Sequence, residues 1–266
     1  MIVEIADAKI HIDVFGDEPK RPPLLLVHGL GGSGESWGRL PEQFAADRRV
    51  GAIHLRGCGR SEPGVEPITI DRLANDCVAA VEAVWGTACH LLGHSLGGVI
   101  AQEMLVRRPS VCRAAVLLST SSKVGAKAAE SWRRLADVVE KRGLSDAGGQ
   151  RSFSEAFAAQ NAEVVASQAR IAASTSPAVY AAQARAASSY DYGPLLASVE
   201  NPVLVMQGQE DRLTSPGGSV LLSRALPNAT LLLEPHVGHN AHLELGDRFV
   251  EIVRAFLTRH DSYAAG

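Results

Sequence analysis

The chain has 266 residues, 46% of them hydrophobic, so it is long enough and apolar enough to bury a large core. Its formal net charge is -3 and its basic residues are scattered among acidic ones, which argues against binding to nucleic acid or to an anionic membrane. The amino terminus lacks the basic start and apolar stretch of a secretory signal, and no apolar run approaches the ~20 residues that cross a bilayer. We therefore expect a cytoplasmic protein whose partner is a small-molecule substrate, with no nucleic-acid partner and no membrane partner.

Strands and helices alternate through the first 120 residues. Alternating apolar residues up to position 14 predict two antiparallel strands joined near Asp7, and the wholly apolar run 24–27 predicts a strand buried on both faces of a sheet. Strands that alternate with helices indicate parallel pairing with right-handed crossovers. The further predicted elements of this part are a helix over 36–46, a strand over 50–53, a helix over 71–84, a strand over 89–92, a helix over 99–106 and a strand over 114–118.

The pattern changes between residues 121 and 190. This segment is rich in Ala, Ser, Gln, Arg and Glu, and its apolar residues recur at helical spacing. Gly143 and Gly148-Gly149 break it into pieces. It is predicted to be a helical insertion and not a linker.

The remaining sequence returns to the first pattern, with strands predicted over 202–206 and 229–233 and a helix over 247–258. The whole chain thus predicts an α/β fold: a mostly parallel eight-stranded sheet flanked by helices, with an inserted helical cap. Residues 1–120 and 191–266 are predicted to form the core, and residues 121–190 the cap.

The four cysteines are Cys58, Cys77, Cys89 and Cys112, and no two of them form a C-x-x-C pair. A chain of this size builds a core without a disulfide framework, and a zinc site would need closely spaced ligands. We expect four reduced, buried thiols, with no metal and no cofactor.

A candidate nucleophile lies where a predicted strand meets a predicted helix. The segment Gly93-His94-Ser95-Leu96-Gly97 fits G-x-S-x-G, a pattern that places a serine on a tight strand-to-helix turn. Glycines on either side let neighbouring backbone approach closely, and the helix amino terminus favours a developing negative charge. The alternative explanation is an inert serine in a glycine-rich turn.

A serine hydroxyl becomes nucleophilic only when a base accepts its proton and a carboxylate holds that base. Asp211 and its neighbour Glu210 both follow a predicted strand and are candidates for the carboxylate. The candidate bases are His236, His239 and His242. Their spacing also resembles a metal site, but on a loop it fixes no ligand geometry.

These motifs, together with the turn His28-Gly29-Leu30-Gly31-Gly32, resemble the α/β-hydrolase superfamily from residue 24 to residue 257. Within it, the layout is similar to the 3-oxoadipate enol-lactonase and small carboxylesterase group. The resemblance implies that Ser95 is the nucleophile, His239 the base and Asp211 the acid. It also implies an oxyanion hole formed by the backbone N–H groups of Leu30 and Leu96.

The chain departs from its relatives at two positions. Relatives usually read D-x-R-G-H-G-x-S, where this chain has His54 and Cys58. Both positions order a loop, so we expect altered packing and unchanged chemistry. Enol-lactonases also often carry Met after the nucleophile, where this chain has Leu96.

The predicted cap is expected to select the substrate. Arg133 and Arg134 are candidates to bind a substrate carboxylate, although a solvated helix face explains at least one of them equally well. The candidates for lining an apolar pocket are the aromatic residues Trp132, Phe153, Phe157 and Tyr190.

The predicted function is hydrolysis of a small carboxylic ester or enol-lactone through an acyl-enzyme on Ser95, without a metal or organic cofactor. Two alternatives remain open. The same triad cleaves carbon–carbon bonds of vinylogous diketones in related families, which often have Asn where this chain has His94. Ligand receptors with weak hydrolytic activity share the fold, but they usually lack the two glycines that this chain has at Gly97-Gly98.

Overall fold

The computed structural model describes residues 1–5, 7–17, 21–144 and 150–264, and its centre is an eight-stranded sheet with strand order β1-β2-β4-β3-β5-β6-β7-β8. The strands β1, β2 and β4 pair antiparallel, and all other neighbours pair in parallel. This confirms the mostly parallel sheet that the sequence predicts. The strands are β1 (Ile2–Ile5), β2 (Ala8–Phe15), β3 (Leu24–Val27), β4 (Val50–Ile53), β5 (Cys89–His94), β6 (Cys112–Leu118), β7 (Val203–Gly208) and β8 (Ala229–Glu234).

Helices cover both faces of the sheet, which is why its central strands are buried and mostly apolar. Along β3, Leu24 and Leu26 join one buried cluster while Leu25 and Val27 join the other, because successive strand residues point to opposite faces. The helices are α1 (Leu40–Phe44), α2 (Ile70–Val84), α3 (Leu96–Arg107), α4 (Ala126–Arg142), α5 (Glu155–Gln160), α6 (Ala162–Ser174), α7 (Pro177–Ala186), α8 (Pro216–Ala225), α9 (Ala241–Glu244) and α10 (Asp247–Arg259).

The structure divides the single helix predicted over 36–46 into two elements. A 3₁₀ turn spans Gly34–Trp37, and Gly38 follows it with a φ of 56°, which ends the turn. The helix α1 then starts with Pro41 in its first turn, where a missing N–H costs nothing.

Four helices, α4 to α7, lie between β6 and β7, in the part of the chain predicted to be a cap. The helices α4 and α7 pack through small side chains, with Ala136, Ala181 and Ala184 fully buried between them. Gly143 ends α4 with a φ of 75°, as predicted, whereas Gly148-Gly149 lies outside the described residues. The division into a core and a cap stays a prediction.

All four cysteines are free and buried, and burial raises the pKa of the Cys58 thiol to about 11 and that of Cys89 to about 12. No helix among the described residues is both long and apolar enough to cross a membrane.

Candidate active site

Ser95 lies in the turn between β5 and α3, and its backbone is strained. Its φ and ψ are 55° and -114°, a conformation that residues with a side chain rarely adopt. The turn is fixed from both sides. The N–H of Ser95 donates to the Leu118 carbonyl at 2.9 Å, and the N–H groups of Gly98 and Val99 donate to the Ser95 carbonyl at 2.9 and 3.2 Å.

The glycines around Ser95 are required by close backbone contacts. A Cβ on Gly93 would overlap the Gly97 carbonyl, and a Cβ on Gly97 would overlap the carbonyl of Val27 in β3. The helix α3 can therefore start directly at Leu96, three residues before the predicted start, with its first turn pressed against the sheet.

The turn that follows β3 packs directly on Ser95. A Cβ on Gly29 would lie 3.2 Å from Ser95 Cβ. Gly31 has a φ of 68°, and its N–H donates to Gln183 Oε1 of α7 at 3.0 Å. Gln183 in turn donates to Cys58 Sγ at 3.1 Å, so one of the positions where the chain departs from its relatives helps to hold this turn.

His28 orders the same turn. Its Nδ1 bonds to the Gly29 carbonyl at 2.8 Å and its Nε2 to the Leu55 N–H at 3.0 Å. Because the carbonyl needs a donor and the N–H needs an acceptor, the ring is neutral with its proton on Nδ1. Burial lowers the pKa of His28 to about 3.

Leu30 and Leu96 line the same cavity as Ser95, and the oxyanion hole formed by their N–H groups stays a prediction. Within the described part of the chain, neither of their backbone N–H groups donates a hydrogen bond. Both donors are therefore available to a ligand at Ser95.

Asp211, in the loop after β7, is buried and pairs with His239. Its Oδ2 lies 2.7 Å from His239 Nδ1. Oδ1 accepts the N–H groups of Leu213 and Thr214 at 2.8 and 2.9 Å, and Gln207 Nε2 donates to Oδ2 at 2.8 Å. Burial by itself raises the pKa of Asp211, but the charge and hydrogen bond of His239 and the two backbone donors outweigh it and hold the pKa below its ordinary value. The carboxylate is therefore ionised, and His239 carries its proton on Nδ1.

The structure separates the three candidate histidines. His236 is exposed and pairs with the competing carboxylate, Glu210, at 3.3 Å. His242 is buried against Trp37, with ring centroids 5.0 Å apart, and burial lowers its pKa to about 3. Of these three histidines, His239 alone pairs with Asp211.

Two groups hold the backbone of His239 from the sheet side. Ser119 Oγ and His94 Nε2 donate to its carbonyl at 2.8 and 3.1 Å. The rings of His94 and His239 are 4.8 Å apart. Burial keeps the pKa of His94 well below its ordinary value, so its ring is neutral.

Ser95 opens into two cavities, which we call the small chamber and the large chamber. The small chamber has a volume of about 200 Å³ and lies against Val99, Ser121 and Tyr190. The large chamber, of about 640 Å³, lies against His239 and the helices α4 and α6. Four residues line both chambers: Leu30, Ser95, Trp132 and Leu213.

The predicted substrate contacts fall into two groups. Trp132 lines both chambers, and Tyr190 lines the small chamber with its hydroxyl 3.0 Å from Ser121 Oγ. Phe153 and Phe157 stack on each other, with ring centroids 5.4 Å apart, and Arg133 is exposed. These last three residues line neither chamber.

Three cations line the chambers in place of Arg133. They are Lys123 in the small chamber and Arg142 and Arg151 in the large chamber, and no acidic side chain of the described residues lines either one. The spacing along α4 could have revealed Arg142, because Leu135, Val139 and Arg142 recur at three to four residues and therefore share a face.

One group of side chains in the described ranges is close enough to share a metal ion: His11 and Asp13 of β2 and His54, which directly follows β4. The Asp13 carboxylate already binds both histidines, at 3.1 and 2.9 Å, and the Arg60 guanidinium contacts the same oxygen as His54. The departure at His54 thus builds a hydrogen-bonded cluster that orders the loop.

Comparison with known proteins agrees with the fold described above. The chain is 26% identical to 3-oxoadipate enol-lactonase 2 of Acinetobacter baylyi over 95% of its length and 94% of that protein. It is 31% identical to a protein of Variovorax paradoxus assigned as a carbamate hydrolase, over 86% of this chain and 89% of that protein. The crystal structure of the enol-lactonase from Burkholderia xenovorans LB400 superposes with a TM-score of 0.89 at 24% identity, covering 94% of this chain and 97% of that chain. The model of the family described as the alpha/beta hydrolase fold matches residues 22–244, and the chain therefore belongs to the α/β-hydrolase family.

Proposed function

We propose that the protein is a serine hydrolase that cleaves a carboxylic ester or an enol-lactone through an acyl-enzyme on Ser95. The observation that carries this proposal is the buried pair of Asp211 and His239, 2.7 Å apart, whose histidine lines the same cavity as Ser95. The strained backbone of Ser95, at the amino terminus of α3, supports the same assignment, because strain of this kind is concentrated at functional sites.

In the first step, Ser95 Oγ attacks the substrate carbonyl while His239 Nε2 accepts the hydroxyl proton. Asp211 keeps Nδ1 of His239 protonated, so Nε2 has a free lone pair, and it stabilises the imidazolium that forms. The negative charge that develops on the carbonyl oxygen binds the free N–H groups of Leu30 and Leu96. Each such donor contributes ~3 kcal/mol to transition-state stabilisation.

In the second step, the protonated His239 gives its proton to the leaving oxygen, and the acyl group stays on Ser95. A water molecule then loses a proton to His239 and attacks the acyl-enzyme, which releases the acid and restores the hydroxyl of Ser95. Every proton transfer in this cycle uses a group of the chain itself, so we propose that hydrolysis is independent of a cofactor.

The relatives are consistent with attack on a carbonyl carbon. One is a lactonase and another is assigned as a carbamate hydrolase, so both substrates have an oxygen or nitrogen leaving group on such a carbon. The helices α4, α6 and α7 supply part of the wall of the large chamber, and we propose that the helices α4 to α7 form the cap that selects among such substrates.

The test is to label the protein with a fluorophosphonate and locate the adduct by mass spectrometry, beside hydrolysis of 4-methylumbelliferyl butanoate. We expect labelling at Ser95 and loss of both labelling and hydrolysis in Ser95→Ala. Ser198→Ala is the matched control, because Ser198 is exposed, lines neither chamber and donates to the Leu195 carbonyl three residues earlier. Hydrolysis that survives in Ser95→Ala refutes the proposed function.

A further inference from the structure

The two chambers beside Ser95 differ about threefold in volume, and they differ in their relation to His239. The large chamber is lined by His239 and by its neighbours Asn240 and His242. The small chamber is lined by none of these three residues. This asymmetry assigns a different part of the substrate to each chamber.

The assignment follows from the geometry of a tetrahedral intermediate, and it rests on the proposed function. The carbon that Ser95 attacks carries three further groups: the oxyanion, the leaving oxygen and the acyl chain. The oxyanion lies at the N–H groups of Leu30 and Leu96. The leaving oxygen has to face His239, which protonates it, and the leaving group then continues into the large chamber. The acyl chain takes the remaining direction, into the small chamber.

We propose that the substrate is an ester of a short-chain carboxylic acid with a bulky alcohol or enol, the acid lying in the small chamber and the leaving group in the large one. With ~30 Å³ for a group of the size of a water molecule, the small chamber holds about six or seven non-hydrogen atoms. By the same measure, the large chamber holds about twenty. A small monocyclic lactone would leave most of the large chamber unfilled.

The walls match this division. The small chamber ends against the buried Val99 of α3 and the half-buried ring of Tyr190, which its hydrogen bond to Ser121 holds in place. Neither residue lines the large chamber. The large chamber lies between α4 and α6, where small residues such as Ala169, Ala172 and Ala173 leave room for a wide group.

Two series of esters test the proposal on the wild-type protein. In the first, the alcohol is 4-methylumbelliferone and the acid grows from acetate to dodecanoate. We expect kcat/KM to peak between butanoate and hexanoate and to fall about tenfold or more for longer acids, the usual penalty for a chain that overfills its pocket. In the second series, the acid is butanoate and alcohols of similar acidity grow from ethanol to 2-naphthylethanol. Here we expect kcat/KM to hold or rise with size.

A pair of identical substitutions makes the test specific to each chamber. Val99→Ala enlarges the small chamber, and Val139→Ala enlarges the large one; both valines are buried, at 3% and 2% exposure. We expect Val99→Ala to move the optimum of the first series to longer acids and to leave the dependence of kcat/KM on alcohol size in the second series unchanged. Val139→Ala should leave the first optimum where it is. Should Val99→Ala fail to fold, Tyr190→Ala enlarges the same chamber.

The outcomes separate this proposal from the function on which it rests. Preference for long acids, rejection of bulky alcohols, or an acid optimum that moves only in Val139→Ala overturns the assignment of the chambers, while labelling at Ser95 leaves the hydrolase mechanism in place. Absence of Ser95-dependent hydrolysis in every series overturns both.

Discussion

Replacing Asp211 by asparagine is the sharpest test of how the site holds its base. Each oxygen of the buried Asp211 carboxylate accepts two hydrogen bonds. Oδ2 accepts from Gln207 Nε2 and His239 Nδ1 at 2.8 and 2.7 Å, and Oδ1 accepts from the N–H groups of Leu213 and Thr214 at 2.8 and 2.9 Å.

Asparagine has one acceptor oxygen and one NH₂ group, so its NH₂ group has to face one of these two pairs of donors. With NH₂ at the Oδ1 position, the two part-buried N–H groups of Leu213 and Thr214 lose their acceptor, at up to ~1–3 kcal/mol each. With NH₂ at the Oδ2 position, it donates to Nδ1 of His239, and the proton of the ring moves to Nε2. That nitrogen then has no lone pair for the hydroxyl proton of Ser95.

We expect the second orientation, because it keeps both backbone bonds, and a fall in kcat of about 10⁴-fold, or ~5.5 kcal/mol of activation free energy. The assay is hydrolysis of 4-methylumbelliferyl butanoate, beside the rate of fluorophosphonate labelling at Ser95, which should fall in parallel. Unfolding followed by circular dichroism reports whether the variant is folded.

Glu210→Gln is the matched control, because Glu210 is the adjacent carboxylate and its partner His236 is exposed. An exposed ion pair contributes ~0–1 kcal/mol, so we expect kcat within about twofold of wild type. A folded Asp211→Asn variant that keeps a tenth or more of the wild-type kcat would refute the role of Asp211. An equal loss in Glu210→Gln would move that role to the neighbouring carboxylate.

Three further predictions concern the surroundings of the site. Gln183→Leu removes the acceptor of the Gly31 N–H, which should destabilise the protein by ~1–3 kcal/mol in urea unfolding and lower kcat more than it raises KM, because the turn at Ser95 loses its tie to α7. His28 stays neutral in the folded chain, with its pKa lowered from 6.5 to about 3, whereas the unfolded chain takes up a proton there below pH ~6.5. The free energy of unfolding therefore keeps the full contribution of His28 above that pH and falls by ~2 kcal/mol at pH 5. In His28→Gln, the free energy of unfolding should fall less between pH 7 and pH 5. Arg142→Ala should raise KM about fivefold for a butanoate ester whose alcohol carries a carboxylate and leave the neutral ester unchanged, and Arg133→Ala should change neither.

Each of these has a result that would contradict it. An unchanged kcat in Gln183→Leu would show that the turn needs no tie to α7. Equal losses of stability between pH 7 and pH 5 in wild type and His28→Gln would exclude His28 as a source of acid lability. A larger effect from Arg133 than from Arg142 would place the anionic group outside the large chamber.

Sequence alone predicts the parts of the site that follow strand ends. Ser95, Asp211 and the loop with His239 come after β5, β7 and β8, and the carboxyl ends of parallel strands meet at one edge of a sheet. Chain order and one motif per loop are therefore enough to bring these residues together. The sequence misplaces the starts of α1 and α3. Gly38, with its positive φ, separates the 3₁₀ turn from α1, and the close contact of Gly97 with β3 lets α3 start at Leu96.

The chambers could not be predicted in the same way. The bond between Gly31 and Gln183 joins residues 152 positions apart, and the packing of α4 on α7 decides which face of α4 meets the substrate. Aromatic composition pointed to Phe153, but that side chain is used to pack against Phe157. Local periodicity contains no information about such choices.

Trp132 has a consequence for how this enzyme can change its substrate range. Its side chain is a wall common to both chambers, so a substitution there alters the space for the acid and for the alcohol at once. A substitution of Trp132 that improves binding of a new acid therefore also changes binding of the alcohol, so the two effects cannot be selected separately. Val99 and Val139 each line one chamber only, and they offer independent, roughly additive routes. Divergence among close homologues should accordingly accumulate at such single-chamber positions before it reaches the tryptophan.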